Sequence, residues 1–213
     1  MDYSLPLTHK TIQGLYVITD PSCSTPETLI SDVSLALEGG ARIVQFRDKH
    51  SAYELQLSLA KQLKTLCENH QAWLIITDDI QLAKQSQAHG VHLGKNDEDM
   101  KTARDILGAD AIIGVTCYND LGRAQQMQNL GADYVAFGCF FPSLTKPDAP
   151  QADIQTLIQA KKNLKIPIVA IGGITQLNAK QLINAGVDSL AVIQGVFGQA
   201  DIKAAAHAIS QQF

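Results

Sequence analysis

Gln45, Arg47 and Lys49 alternate with Val44, Phe46 and Asp48 in the segment Ile43-Val44-Gln45-Phe46-Arg47-Asp48-Lys49. In an extended strand that spacing puts the three polar side chains on one face and the apolar pair on the other. Two cations stacked in one direction need an anion. An ion pair with Asp48 or with an acid on a neighbouring strand is the plain structural alternative, because a desolvated charge is costly without a partner. A phosphate or diphosphate suits the whole ladder, since guanidinium and ammonium groups both take phosphate oxygens.

Acids stand close by. Thr77-Asp78-Asp79 and Leu93-Gly94-Lys95-Asn96-Asp97 close two successive apolar runs, so Asp78 and Asp97 are expected above adjacent strand ends, where a cation between them would relieve their repulsion. Mg²⁺ fits that position, because it binds through one or two carboxylates and completes its shell with water and substrate phosphates. Helix capping is the competing use of these acids, with Asp78 or Asp79 opening one helix and Asp97 the next.

Further along, Gly138-Cys139-Phe140-Phe141-Pro142-Ser143-Leu144-Thr145-Lys146-Pro147 is dense in hydroxyls and carries one cation between prolines, the composition of a lid. Ile171-Gly172-Gly173-Ile174 and Ile193-Gln194-Gly195 end two late apolar runs; glycines there let backbone N–H groups approach an anion. His92, between Val91 and Leu93, reads as a packed, hydrogen-bonded histidine. Cys117 and Cys139 have no adjoining histidine to activate a thiolate and read as pocket lining.

Such residues need a scaffold that gathers strand ends. Eight short Val- and Ile-rich runs, at 14–19, 42–47, 73–77, 90–93, 112–116, 134–137, 168–171 and 189–193, each precede a stretch with helical apolar spacing. Glycines sit before several strands, as in Gly39-Gly40, Gly131 and Gly186, where a left-handed turn is wanted. Ser24-Thr25-Pro26-Glu27, and Ser51 three residues before Glu54, mark helix starts. Strict alternation over 213 residues predicts an α/β chain folded as a single (β/α)₈ barrel, with 1–13 as an N-terminal extension and the barrel at about 14–211. No glycine-rich dinucleotide fingerprint follows the first strand, as an open doubly wound sheet would favour. In such a barrel the chemistry lies at the carboxyl ends of the strands, and the seventh and eighth loops form a recurrent phosphate site.

Composition agrees. The chain is 46% hydrophobic and 18% charged, and 17 basic against 21 acidic residues give a net charge of −4. That balance offers no diffuse attraction to nucleic acid or to an anionic membrane. No run reaches the length of a membrane span, residues 1–10 lack a signal-peptide core, and the four cysteines show no CxxC spacing. The expectation is a cytoplasmic protein with reduced thiols, acting on small molecules; a homo-oligomer stays open.

Taken in order, Tyr16-Val17-Ile18-Thr19-Asp20, Val44-Gln45-Phe46-Arg47-Asp48-Lys49, Gly90-Val91-His92-Leu93-Gly94, the Gly138-to-Lys146 loop and Ala170-Ile171-Gly172-Gly173-Ile174 resemble the thiamine-phosphate synthase family, over about 14–197. The resemblance implies a (β/α)₈ barrel that transfers the hydroxymethylpyrimidine group from its diphosphate to the nitrogen of thiazole phosphate. It implies Mg²⁺, release of diphosphate and a dissociative course in which the thiazole nitrogen captures a pyrimidinylmethyl cation. By position, Gln45, Arg47, Lys49, Thr77, Thr116 and Lys146 would meet the pyrimidine diphosphate, with Arg47, Lys49, Thr116 and Lys146 as the catalytic set. Asp78 and Asp97 would hold the metal, and Ser143, Thr145, Gly173, Ile193 and Gln194 the thiazole phosphate. Four positions depart from the family pattern: Thr77 stands for Asn, Lys95 for Gln, and Thr116 and Gln194 for Ser.

Two relatives of that reading compete with it. A thiazole tautomerase on the same fold uses a histidine where this chain has Tyr118, and the retained Arg47, Lys49, Asp78, Asp97 and Lys146 favour a diphosphate-handling enzyme. A non-catalytic thiazole-phosphate binder would fit if the Thr77 and Gln194 changes abolished turnover. A sugar-phosphate aldolase or isomerase needs a Schiff-base lysine or a metal–histidine cluster within the strands, and neither stands out.

Overall fold

A computed structural model of the chain describes residues 11–94, 100–142 and 151–213. Eight parallel strands follow one another around a closed barrel, each paired with its sequence neighbours and the last with the first. They are β1 (Gly14–Ile18), β2 (Ile43–Phe46), β3 (Trp73–Thr77), β4 (Gly90–Leu93), β5 (Ile112–Tyr118), β6 (Tyr134–Phe137), β7 (Ile168–Ile171) and β8 (Ser189–Val192). Between them run α1 (Leu29–Glu38), α2 (Tyr53–Asn69), α3 (Ile80–Gln85), α4 (Met100–Leu107), α5 (Leu121–Asn129), α6 (Ile154–Asn163) and α7 (Ala179–Asn184); α8 (Gln194–Phe197) and α9 (Ile202–Ser210) close the chain. The (β/α)₈ barrel expected from the alternation is the fold found.

Alternation within each strand sorts the side chains into two cores. Leu15, Val17, Val44 and Phe46 point outward into a layer shared with the helices, where Leu63, Leu74 and Leu190 also lie. Tyr16, Ile18, Ile43, Ile75 and Tyr134 point inward and fill the barrel, and Ile12, fully buried, joins them. Both cores are closed to water, so a polar side chain on the inward face must find a partner inside the barrel or rise to its mouth.

Most predicted strands match within a residue. β5 runs on to Tyr118, because a register irregularity after Thr116 lets the strand keep pairing with Phe137 on β6. The predicted helix starts differ: α1 is capped by Thr28 and α2 by Ala52, neither through a side-chain hydrogen bond. Ser51 instead donates its N–H to Asp48 Oδ1, and its carbonyl accepts from Gln56 Nε2. Among the described residues, no helix is long and apolar enough to cross a membrane.

Candidate active site

At the carboxyl ends of the strands the acids divide by use. Asp79, Asp120, Asp153 and Asp201 accept backbone N–H groups at the starts of α3, α5, α6 and α9, and Asp48 takes the N–H groups of His50 and Ser51. Among the described residues, two acids are left to face the cations. Asp20, at the end of β1, pairs with Arg47 (Nη1 to Oδ2, 2.7 Å), and Asp78, at the end of β3, pairs with Lys49 (Nζ to Oδ2, 2.7 Å). Asp78 reaches out from a left-handed backbone (φ 63°), a conformation that a non-glycine residue adopts at a cost and that clusters at functional sites. A cavity of about 190 Å³ opens beside this second pair, lined by Lys49, Thr77, Asp78, Gln56 and Phe46 among others.

The polar ladder of β2 climbs out of the barrel. Gln45 is buried within it, while the side chains of Arg47 and Lys49 are 26% and 53% exposed. Gln45 accepts from Tyr16 Oη at 2.7 Å and donates to Thr77 Oγ1 at 2.7 Å. Tyr16 Oη lies 2.9 Å from Tyr134 Oη, Tyr134 Oη lies 2.9 Å from His92 Nδ1, and His92 Nε2 lies 2.8 Å from Thr116 Oγ1. A continuous hydrogen-bonded chain thus crosses the barrel beneath the mouth, from Thr77 on β3 to Thr116 on β5. Burial pushes both tyrosines well above the ordinary phenol range, so they stay neutral and act only as hydrogen-bonding groups.

Loop seven is shaped by what its glycines touch. A Cβ on Gly172 would strike the Cys139 sulfur, and one on Gly173 the Phe141 and Pro142 carbonyl oxygens; both residues have positive φ. Phe140 N–H and Phe141 N–H donate to the carbonyls of Ile171 and Gly172, which binds the root of the sixth loop to the seventh. Gly173 O accepts from Asn178 Nδ2 at 3.0 Å. Just past β8, Ile193 precedes α8, and Gln194 Nε2 reaches Ser22 Oγ at 3.5 Å.

The model of one protein family, described as thiamine monophosphate synthase, matches residues 15–196. The chain belongs to that family. Thiamine-phosphate synthase from Nitrosococcus oceani is 50% identical over 96% of this chain and 94% of its own length; that from Alcanivorax borkumensis is 47% identical over 95% and 94%. A solved thiamine phosphate pyrophosphorylase from Pyrococcus furiosus superposes with a TM-score of 0.86 at 34% identity, covering 94% of this chain and 95% of that one. A 3-hexulose-6-phosphate synthase, at 18% identity and a TM-score of 0.69, shares the fold alone. As a thiamine monophosphate synthase family member the chain is a transferase of thiamine biosynthesis.

In this member of the thiamine monophosphate synthase family, Gln45, Arg47, Lys49, Thr77, Asp78 and Thr116 stand on β2, β3 and β5 and the loops that follow them, Gly173 and Ile193 follow β7 and β8, and Gln194 opens α8. Asp97 and Lys95, and Ser143, Thr145 and Lys146, lie outside the described residues. His92 is held at both ring nitrogens, as a packed histidine should be. Cys117 corrects the pocket-lining expectation: it is fully buried in the outer core, facing helices, and burial pushes its thiol up to about 12. Cys139 donates to Phe141 O at the root of the sixth loop.

Asp20, Tyr16 and Tyr134 were not singled out by sequence. For Asp20 a signal existed, since Thr19-Asp20 ends the first strand on the side where barrel chemistry lies. The tyrosines share inward parity with Ile18 and Ala136, and polar groups at inward positions could have been collected on that basis.

Proposed function

We propose that the chain joins hydroxymethylpyrimidine diphosphate to thiazole phosphate with the help of Mg²⁺, releasing diphosphate and forming thiamine phosphate. The observation that supports this reading is that the ends of the neighbouring strands β1, β2 and β3 carry two acid-held cations, Arg47 on Asp20 and Lys49 on Asp78, beside the neutral hydrogen-bonded chain through Gln45 and Thr77. Arg47 and Lys49 would take the oxygens of the leaving diphosphate, with Lys146 contributed by the sixth loop. Gln45, Thr77 and Thr116 would orient the pyrimidine end. Loops seven and eight, through Gly173, Ile193 and Gln194, would seat the thiazole phosphate with Ser143 and Thr145.

The donors at Asp78 suit a hard cation: one carboxylate oxygen is on Lys49 and, among the described residues, the other has no hydrogen-bond partner. No group of three or more acids, histidines or cysteines gathers among the described residues. An ion here would therefore draw on Asp78, Asp97 and the substrate's own phosphates, the sparse ligation usual for Mg²⁺. Bound there, Mg²⁺ would offset charge on the diphosphate.

No nucleophile or general base is needed for a dissociative transfer. The pyrimidinylmethyl–oxygen bond breaks, both electrons leave with the diphosphate, and the thiazole nitrogen supplies the pair for the new bond. Rate enhancement then comes from holding the two substrates in line and from cations placed where negative charge grows. Purified protein with both substrates, with and without Mg²⁺, should release diphosphate and form thiamine phosphate in equal amounts only when Mg²⁺ is present. Diphosphate release without product, or binding of thiazole phosphate without turnover, would overturn the reading.

A further inference from the structure

We propose that Asp20 is a positioning residue for the transfer, one that fixes the guanidinium of Arg47 at the barrel mouth; this rests on the diphosphate reading of Arg47 above. Two consecutive residues at the end of β1 grip the same arginine. Thr19 Oγ1 accepts the Arg47 backbone N–H at 2.9 Å, and Asp20 Oδ2 accepts from Nη1 at 2.7 Å. The Asp20 side chain is only 8% exposed against 26% for its partner, so the acid belongs to the scaffold and the cation faces the solvent side.

Asp20 is itself held. Its Oδ1 accepts from Ser22 N–H at 3.0 Å and Ser22 Oγ at 2.7 Å, while its carbonyl accepts from the N–H groups of Cys23 and Ser24. Both carboxylate oxygens are therefore engaged, and the turn 20–24 cannot swing without breaking four hydrogen bonds. Arg47 uses one donor on Asp20 among the described residues, and a guanidinium carries five in a fixed plane. Pinning Nη1 aims the remaining donors. The contrast with Lys49 supports a positional role: that ammonium is half exposed and its partner Asp78 is more open than Asp20, so the Lys49 pair can part while the Arg47 pair stays.

An acid beside an anion site weakens ground-state attraction for that anion. What it supplies instead is orientation, and misplacing a catalytic group by about 1 Å can cost on the order of 100-fold in rate. Asp20→Asn keeps an acceptor for Ser22 but turns an amide N–H₂ toward Nη1, where two donors cannot pair. The variant, Arg47→Ala and the double variant are compared by single-turnover product formation, which reads slow enzymes, with inorganic pyrophosphate binding in Mg²⁺ measured by calorimetry. Asp20→Asn should slow turnover about 10- to 100-fold, leave pyrophosphate affinity equal or tighter, and have under about threefold effect in the Arg47→Ala background, as coupled residues do. Equal losses in both backgrounds, no loss in either, or a loss of pyrophosphate affinity matching the loss of rate would overturn the role. Should the amide variant not fold, the same cycle with Asp20→Glu, which keeps the charge and changes the reach, reads the same coupling. Arg47→Ala with unaltered turnover and pyrophosphate affinity would overturn the diphosphate reading itself rather than the part played by Asp20.

Discussion

Lys49 Nζ lies 2.7 Å from Asp78 Oδ2, so a cation expected to bind diphosphate and an acid expected to bind metal hold each other. Each can serve substrate fully only as the other lets go. A partly exposed pair of this kind is worth about 0.2–1 kcal/mol, a small threshold for the proposed binding of Mg²⁺ and diphosphate to cross.

Neutralising the lysine should therefore separate two effects. In Lys49→Met, Asp78 is released, and the Mg²⁺ concentration for half-maximal rate should fall about 1.5- to 5-fold, while kcat drops because a cation on the leaving group is gone. Titrating Mg²⁺ at saturating substrates checks this. An unchanged requirement for Mg²⁺ would mean that the metal does not compete with Lys49 for Asp78.

The Gly172-Gly173 turn makes a prediction about stability that differs from an ordinary glycine's. Gly108, at φ +88° with no atom within 4 Å of the place a Cβ would take, should cost only its backbone strain on Gly108→Ala, about 1 kcal/mol. Gly173→Ala meets the carbonyls of Phe141 and Pro142 as well as a positive φ. It should lower the melting temperature by clearly more than Gly108→Ala, and should also raise the KM for thiazole phosphate; equal melting shifts for the two variants would contradict the packing argument.

How much of this was legible follows from distance along the chain. The strands and the split of β2 into outward Val44 and Phe46 and inward Gln45 are products of local alternation, and local alternation is what a sequence displays. Asp79 as the cap and Asp78 as the acid that faces Lys49 are two readings of one pair, separable only once a backbone φ is known. Asp20 stood at a visible strand end, yet its partner is 27 residues away, and nothing in either segment names the other. Tyr16 and Tyr134 are 118 residues apart; only closure of the barrel brings them into contact.

Tyr134→Phe tests whether the floor beneath the mouth is a connected unit. The hydroxyl stands between Tyr16 Oη and His92 Nδ1, each at 2.9 Å. Its removal leaves polar groups short of a partner inside the barrel at a cost of about 1–3 kcal/mol, or roughly 2–12 °C in melting temperature for a chain of this size. Because His92 also holds Thr116, turnover should fall too, by more than the fraction unfolded explains. Thr116→Ser, which keeps the hydroxyl, should leave both quantities close to those of the parent.

At the opposite end of the barrel, His89 gives the fold a pH dependence independent of the site. Its Nδ1 accepts the Leu74 N–H at 2.8 Å and its ring meets Trp73 edge to face at 5.0 Å. Burial first, and Lys64 second, lower its pKa from 6.5 to about 4. A histidine with a depressed folded-state value is protonated more readily when unfolded, so stability is complete above about pH 6.5, is lost as the pH falls from there towards 4, and declines no further on its account below that. With its partial exposure allowed for, the loss is about 1–2 kcal/mol. Urea unfolding at pH 7.5 and 4.5 should show that loss in the parent chain and a correspondingly smaller one in His89→Asn, which cannot take up the proton. If both proteins lost the same stability between the two pH values, His89 would not be the group that binds the proton on unfolding, and the Leu74 N–H bond would not require a neutral ring.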